Sequence, residues 1–169
     1  NCRYLFKGGY GEHFSAFKPF ITHHADLVEN GHMIYGRLSL IEPLGCDIRN
    51  IDMQIPCDYP HYPKNPERFI VGFQMGTSLS SPGRRWSVKA YAQLAQKLIA
   101  FSERVEIVLV GVASEQELVQ QFLSLMPQND QSRVVDRVGK TTLSELIGYL
   151  EQMDLLVTPD TGTMHLGTA

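Results

Sequence analysis

The chain has 169 residues, of which 43% are hydrophobic and 20% are charged, a balance that is ordinary for a globular protein. The formal net charge of −3 argues against broad, non-specific binding of nucleic acid. No apolar run approaches the roughly 18–20 residues that a membrane span needs, and residues 1–7 lack the apolar core of a signal peptide.

The first third of the chain carries weak secondary-structure signals. An imperfect apolar stripe predicts one helix over about residues 20–44, although Asn30 and Gly31 interrupt it. Alternating apolar residues over 51–55 are typical of an edge strand. Four prolines follow over residues 56–66. Because proline fixes φ and lacks an N–H donor, we expect a stiff linker over residues 56–67.

From residue 68 the pattern becomes regular, with short apolar runs that alternate with segments of helical periodicity. Strands are predicted at 69–73, 105–110, 134–135 and 155–157. Helices are predicted after the cap Ser87, after the capping boxes Ser114/Glu117 and Thr142/Glu145, and from about Thr163. This alternation predicts right-handed βαβ units and a parallel sheet, a Rossmann-like α/β domain over 68–169. Its last helix stops at Ala169, so we expect the domain to be incomplete there.

Two loops at the carboxyl ends of predicted strands are suited to an anion. Gly76–Trp86 supplies two glycines, four hydroxyls and two arginines, and the planar guanidinium group of arginine matches phosphate oxygens. The alternative is a solvated surface loop, with Trp86 packed as a lid on the helix that follows. Asp160–His165 turns from a strand into a helix start, where backbone N–H groups face an anion. Two such loops on one sheet edge can hold a diphosphate together.

Two further loops leave two interpretations open. Glu115 follows the strand 105–110, so its carboxylate could accept hydrogen bonds from ribose hydroxyls or could complement a helix dipole. The helix-dipole interpretation is favoured for Glu117. The loop 138–142 could line a nucleoside pocket or simply cap a helix.

Several common classes of site lack their motifs. The chain contains no GxGxxG after the first strand, no GxxxxGK[ST] and no GxSxG, which argues against a dinucleotide-dependent dehydrogenase, a P-loop NTPase and a serine hydrolase. The three cysteines are irregularly spaced, so we expect reduced thiols in a cytosolic protein. No cysteine or acidic ligand pattern accompanies His23, His24 and His32, so no metal site is predicted.

The loop motifs resemble, in order and spacing, those of the heptosyltransferase family, glycosyltransferase family 9. That family has a Gly-Ser/Thr loop, a Lys-x-Trp-Pro element, a strand ending in Gly with acidic residues, a Gly-x-x-Ser/Thr-Leu helix start and the motif Asp-Thr-Gly-Pro-Met-His-Leu-Ala-Ala-Ala. The corresponding segments here are Gly76–Ser78, Arg84–Ser87, Gly111 with Glu115, Gly139–Leu143 and Asp160–Ala169. The last of these is the most specific.

The resemblance implies a GT-B architecture of two Rossmann-like domains, with residues 1–55 as the end of the N-terminal, acceptor-side domain. It implies the inverting transfer of heptose from ADP-heptose to the lipopolysaccharide core in the bacterial cytoplasm. The expected partners are an ADP-sugar donor and a lipopolysaccharide-core or other glycan acceptor, with no nucleic acid and with peripheral contact at the inner membrane left open. No cofactor or essential metal is expected.

The resemblance also implies roles for individual residues of the donor site. The phosphate-binding residues would be Thr77, Ser78, Arg84, Thr161, Gly162, Thr163 and His165. The nucleoside-binding residues would be Glu115, Thr142 and Leu143. Asp160 would face the sugar.

Three positions depart from the family pattern, since Arg84 replaces Lys and both Ser87 and Thr163 replace Pro. The family's catalytic base is an acidic residue near the start of the N-terminal domain. No glycine-rich segment here matches that region, so we expect a fragment that binds the donor without catalysing transfer alone. The alternatives are a GT-B transferase that uses a UDP- or GDP-sugar and a non-catalytic nucleotide-binding domain.

Overall fold

A computed structural model describes residues 8–9, 23–24, 33–39, 41–49, 54–55, 57–77, 83 and 85–169 of the chain. The chain divides into two compact units, residues 1–53 and 54–169. The proline-rich stretch predicted as a linker over 56–67 therefore belongs to the second unit.

The described part of the first unit holds short elements. Strand β1 (Gly8–Gly9) pairs in parallel with strand β2 (His23–His24), and helix α1 covers Met33–Leu38. The helix predicted over about 20–44 is thus wrong at its start, because His23 and His24 are strand residues. It is also wrong at its end, where a 3₁₀-helix (Glu42–Leu44) follows. Pro43 lies in that 3₁₀-helix and, without an N–H, could not continue the α-helical bonding.

The predicted edge strand over 51–55 lies mostly outside the described residues. Gln54 and Ile55 are described, and neither belongs to a strand.

The second unit is an α/β domain with one four-stranded parallel sheet in the order β5-β4-β3-β6. Its strands are β3 (Phe69–Gln74), β4 (Val105–Val110), β5 (Val134–Asp136) and β6 (Leu155–Val157). Its helices are α2 (Val88–Phe101), α3 (Gln116–Leu125), α4 (Gln128–Gln131), α5 (Leu143–Gln152) and α6 (Gly162–Gly167). The predicted Rossmann-like sheet is confirmed, with all four strands within one residue of their predicted bounds.

Both faces of the central strands are covered, which explains why β3 and β4 are nearly continuous apolar runs. One face packs Phe73 and Ile107 against Tyr91 of α2 and Phe122 of α3. The other face groups Ile70, Val108 and Val110 with Met153. Each large side chain that is fully buried in this way contributes about 1.5–3 kcal/mol to folding.

The helix caps follow the sequence in two places and differ in a third. Ser87 accepts from the Ala90 N–H, and Thr142 and Glu145 form the predicted reciprocal box. The predicted Ser114/Glu117 box is wrong, because a 3₁₀ turn (Ala113–Glu115) precedes α3. Glu115 bonds back to the Val112 N–H instead.

The proline-rich stretch lies along helix α5. The ring of Tyr62 stacks on that of Tyr149 with 4.8 Å between centroids, and Lys64 Nζ lies 2.6 Å from a carboxylate oxygen of Asp154. Gly148 makes this approach possible, since a Cβ there would collide with the Pro60 carbonyl. The stretch therefore buries one side of α5.

The strand order creates a crevice. The chain passes from β3 to β4 on one side of β3, and β6 returns to its other side. At such a switch point the loops after the flanking strands diverge, and open α/β sheets bind ligands in the space between them.

Candidate donor-binding cleft

A cleft of about 910 Å³ opens at the carboxyl edge of the sheet and is lined by residues that follow all four strands. Seven of the residues predicted to bind the donor line it, namely Thr77, Glu115, Thr142, Leu143, Thr161, Gly162 and Thr163. Its volume lies within the range of about 300–1,000 Å³ that is usual for small-molecule sites. Loops that are far apart in the sequence therefore share one cavity.

Four other predicted residues do not line this cleft as described. Ser78 and Arg84 lie outside the described residues. Asp160 and His165 lie 3.8 Å apart from carboxylate oxygen to Nε2, with side chains that are 62% and 60% exposed. They follow β6, beside Thr161.

The carboxylate of Glu115 lies in a pocket made by two glycines. Its Oε2 accepts from the Val112 N–H and from Gln74 Nε2, both at 3.1 Å. A Cβ at either Gly76 or Gly111 would collide with this carboxylate. The glycines near the start of the loops after β3 and β4 thus leave room for Glu115. The sequence does not reveal this pocket, because Gly76 lies far from the other two residues along the chain.

Gln74 is the residue of this site that sequence reasoning missed. It ends strand β3 and is only 5% exposed. Its Nε2 donates to Glu115, and its Oε1 accepts from Thr163 Oγ1 at 3.3 Å. A signal is present in the sequence, since one polar residue closes an otherwise apolar strand.

Tyr91 fixes the end of the same strand. Its hydroxyl donates to the backbone carbonyl of Gln74 at 2.9 Å, and burial raises the pKa of Tyr91 to about 12. The Trp86 ring packs edge-on against Tyr91 with 5.1 Å between centroids. Trp86 is therefore anchored to helix α2, as the surface-loop interpretation expects, while Thr77 and Arg85 of the same loop line the cleft.

Arg85 supplies the positive charge of the cleft lining that the structure describes. Its Nε is buried and has no hydrogen-bond partner among the described atoms. Leaving a buried donor unpaired costs about 1–3 kcal/mol. An anionic ligand would relieve this cost by accepting a hydrogen bond from Arg85. The sequence motif instead assigns phosphate binding to the neighbouring Arg84.

Lys140 also lies at the carboxyl edge of the sheet, but its charge is paired within the protein. Its Nζ donates to Asp136 Oδ2 at 2.6 Å. Burial alone would raise the pKa of Asp136, but hydrogen bonds from Lys140, the Val138 N–H and Gln116 together hold that pKa below its ordinary value. The ion pair holds the loop after β5 in shape.

Thr142 lies at the cleft and also caps helix α5. Its hydroxyl and backbone N–H both donate to the Glu145 carboxylate at 2.9 and 2.8 Å. These bonds lower the pKa of Glu145. Leu143, which follows it, is 67% exposed and offers an apolar surface at the cleft.

Metal-binding clusters and membrane-spanning helices are both absent from the described residues. No group of three or more His, Cys, Asp or Glu side chains in that part of the chain could hold a metal ion. No helix among the described elements is long and apolar enough to cross a membrane.

A family model for glycosyltransferase family 9 (heptosyltransferase) matches residues 11–169. The chain belongs to this family. The resemblance seen in the loop motifs of the sequence is thereby confirmed.

Named relatives of this family 9 chain match it over part of their length. It is 31% identical over 103 residues to lipooligosaccharide heptosyltransferase 2 of Haemophilus influenzae and to lipopolysaccharide heptosyltransferase 2 of Escherichia coli, and each match covers 61% of the chain. The matched region spans 29% of the length of these relatives.

Two solved structures share its fold. The ADP-heptose lipopolysaccharide heptosyltransferase II of Escherichia coli superposes with a TM-score of 0.56 at 30% identity, over 61% of this chain and 30% of that one. A family 9 glycosyltransferase of Veillonella parvula superposes with a TM-score of 0.65 at 22% identity, over 98% and 48%. The structural neighbours of this α/β domain are thus family 9 glycosyltransferases, whose fold is GT-B.

Proposed function

We propose that this chain forms the donor-binding part of a glycosyltransferase that transfers heptose from ADP-heptose to the lipopolysaccharide core. Membership of family 9 supports the class of reaction. The single observation that carries the donor-binding role is the cleft at the switch point, which gathers predicted donor residues from the loops after β3, β4, β5 and β6. A smaller cavity of about 480 Å³, lined by residues 65–68 and 103–104, lies at the opposite edge of the sheet and holds none of them.

In this proposal the nucleoside lies on the side of the cleft formed by the loops after β4 and β5. The Glu115 carboxylate accepts hydrogen bonds from the ribose hydroxyls, as acidic residues do in dinucleotide folds. Thr142 and Leu143 contact the base. The exposed apolar surface of Leu143 favours stacking against a flat ring.

The diphosphate lies on the opposite side, between the loops after β3 and β6. Thr77, Thr161, Gly162 and Thr163 offer hydroxyl or backbone N–H donors there. Arg85, with Arg84 beside it in sequence, neutralises charge. We propose that these groups bind the diphosphate without an essential metal.

The chemistry of this half of the site is stabilisation of the leaving group. Cleavage of the sugar–phosphate bond develops negative charge on ADP, and donors that are already oriented toward it lower the barrier by about 3–4 kcal/mol for each donor that matters. Asp160 faces the sugar, with His165 beside it. Inversion requires a base that deprotonates the acceptor hydroxyl, and we place that base outside this cleft.

The proposed partners are an ADP-sugar and a lipopolysaccharide-core or other glycan acceptor, and we expect the enzyme to work in the bacterial cytoplasm near the inner membrane. These follow from the family, and they concern the whole enzyme, of which this chain matches less than a third.

Calorimetric titration of the chain with ADP, UDP and GDP tests the donor assignment. We expect ADP to bind at least tenfold more tightly than the other two, because the base contacts differ while the ribose and diphosphate do not. Tighter binding of UDP or GDP would assign another nucleotide-sugar. Absence of binding by all three would contradict the donor-binding role.

A further inference from the structure

Gln74 joins the two halves of the cleft through one side chain. Its amide contacts Glu115, which lies 41 residues further along the chain, and Thr163, which lies 89 residues further. Glu115 belongs to the loop after β4 and Thr163 to helix α6 after β6. Gln74 lies between them at the end of β3, the strand from which those two loops diverge.

The hydrogen-bond pattern allows only one orientation of this amide. The Glu115 carboxylate can only accept, so the amide NH₂ must face it and the amide oxygen must face the Thr163 hydroxyl. A second, longer contact from Nε2 to the Gly76 carbonyl, at 3.5 Å, agrees with this orientation. The position therefore requires a group that donates at one end and accepts at the other.

The surroundings hold Gln74 rigidly. The residue is 5% exposed, and its backbone carbonyl accepts from the Tyr91 hydroxyl. Its backbone pairs with Val110 on β4, one residue beyond the last pair between β3 and β6, Phe73 with Val157. A rigid amide of this kind fixes the positions of Glu115 and Thr163, because neither can move without breaking its hydrogen bond to Gln74.

We propose that Gln74 is a positioning residue of the donor site. By binding the Thr163 hydroxyl it fixes the start of helix α6, whose first backbone N–H groups face the diphosphate, and it holds the Glu115 carboxylate toward the ribose, so it sets the distance between the two halves of the cleft. This inference rests on the proposed function, since it assigns Gln74 to an ADP-binding site. It adds a residue that lines the cleft and acts by holding the groups that contact the ribose and the phosphates.

Two substitutions separate positioning from packing. Gln74→Met keeps the length of the side chain and removes both hydrogen bonds. Gln74→Glu places two carboxylates side by side at neutral pH, where they repel each other, but a single shared proton restores the pattern. In the protonated Gln74→Glu variant, the new carboxyl group would donate to Glu115 and accept from Thr163, as the amide does.

The measurement is the dissociation constant of ADP, determined by calorimetry for each variant of the full chain relative to the unsubstituted chain at the same pH. We expect Gln74→Met to bind ADP about tenfold more weakly at all pH values, the effect of unpairing buried polar groups. We expect Gln74→Glu to be at least as weak at about pH 8 and to recover to within about threefold at about pH 5.5.

Other charged groups near the amide do not produce this signature. The Tyr91 hydroxyl, with a pKa of about 12, stays neutral in this range. The charged groups Arg85, Glu117, Asp160 and His165 are present in every variant, as is the ADP phosphate, so their contributions cancel in the ratio to the unsubstituted chain.

Gln96 provides the matched control. Its amide donates to the Leu125 carbonyl at 2.8 Å, and it does not line the cleft. Gln96→Met and Gln96→Glu should leave ADP affinity unchanged at both pH values.

The outcomes distinguish the inference from the function on which it rests. If the unsubstituted chain binds ADP and both Gln74 variants bind it equally well, the inference is wrong and the proposed function stands. The same holds if Gln74→Glu is as weak at about pH 5.5 as Gln74→Met, because restoring the hydrogen-bond pattern would then fail to restore ADP affinity. If the unsubstituted chain fails to bind ADP, the proposed function and the inference fall together.

Discussion

The two edges of the parallel sheet carry charge in different ways. At the amino edge the Asp154 carboxylate accepts from Lys64 Nζ at 2.6 Å and from the Ile70 N–H at 2.8 Å. At the carboxyl edge the Glu115 carboxylate also accepts one backbone N–H and one side-chain donor, but the side chain is the neutral amide of Gln74. The first carboxylate has its charge neutralised within the fold, and the second does not.

Arginines show the same contrast. Near the amino edge, Arg104 donates to the carbonyls of Pro66 and Glu67, and Arg133 donates to those of Ser102 and Val105. In the part of the chain that the structure describes, the buried arginine Nε atoms that lack a hydrogen-bond partner belong to Arg85 and Arg137, which both follow strands at the carboxyl edge.

The difference shows which polar groups of this fold are available to bind a ligand. Groups that complete their hydrogen bonds and charge within the protein stabilise it, whereas groups left with spare capacity are available to a ligand at some cost in stability. Asp154, Arg104 and Arg133 near the amino edge belong to the first kind. At the carboxyl edge Glu115 and Arg85 belong to the second, although the Lys140–Asp136 pair there is completed within the protein. Three substitutions test this division.

The largest effect is expected at Glu115. Glu115→Ala should weaken ADP binding about 30-fold, or about 2 kcal/mol, because hydrogen bonds to a charged group contribute about 1.5–3 kcal/mol. Calorimetric titration with ADP measures it. Unchanged affinity would place Glu115 among the purely structural carboxylates, with Asp154.

Glu117→Ala is the control for that experiment. It removes the same charge from the start of the same helix, where Glu117 accepts from Gln121 at 3.3 Å. We expect no loss of affinity. An equal loss of ADP affinity in both variants would mean that the negative charge near the start of helix α3, and not a contact between Glu115 and ADP, determines the effect.

A smaller effect is expected at Arg85. Arg85→Met should weaken ADP binding about tenfold while leaving adenosine binding unchanged, since the proposed site places the guanidinium group at the diphosphate and away from the nucleoside. The melting temperature should stay the same or rise, because a buried unpaired donor is removed. Paired ADP and adenosine titrations with a thermal melt give all three values.

Arg68→Met serves as the matched control, because Arg68 is an exposed cation before strand β3 at the opposite edge. It should change neither affinity. A loss of ADP affinity in Arg68→Met equal to that in Arg85→Met would assign the effect to net charge and contradict the division between the edges.

The parts of the molecule that depend on neighbours along the chain can be predicted from the sequence. Strand β4 and the caps at Ser87 and Thr142 are of this kind, because the alternation of apolar runs, capping residues and turns is local information. The helix predicted over about 20–44 is wrong because its apolar stripe is imperfect and Pro43 limits it.

The remaining features depend on contacts between distant residues. In the sequence Gln74 is only a polar residue at the end of a strand. Its link between two loops becomes visible only because the structure places Glu115 and Thr163 on either side of it. The shift of the cap from Ser114 to Glu115 has the same origin, since the glycine-lined pocket and the Gln74 amide draw the Glu115 carboxylate inward.

The smallest effect is expected from pH at the amino edge. The hydrogen bond from Lys64 lowers the pKa of Asp154, the Ile70 N–H lowers it further, and burial opposes both. Because the folded pKa lies below the unfolded value of about 3.9, the carboxylate contributes stability above that value and loses it as pH falls through the folded pKa.

The side chain introduced by Asp154→Asn cannot titrate. Urea unfolding should therefore show the variant to be less stable by about 1 kcal/mol at pH 7, with the difference shrinking below about pH 4. ADP affinity should be unchanged at pH 7, and a loss there would show that the two edges are not energetically separate.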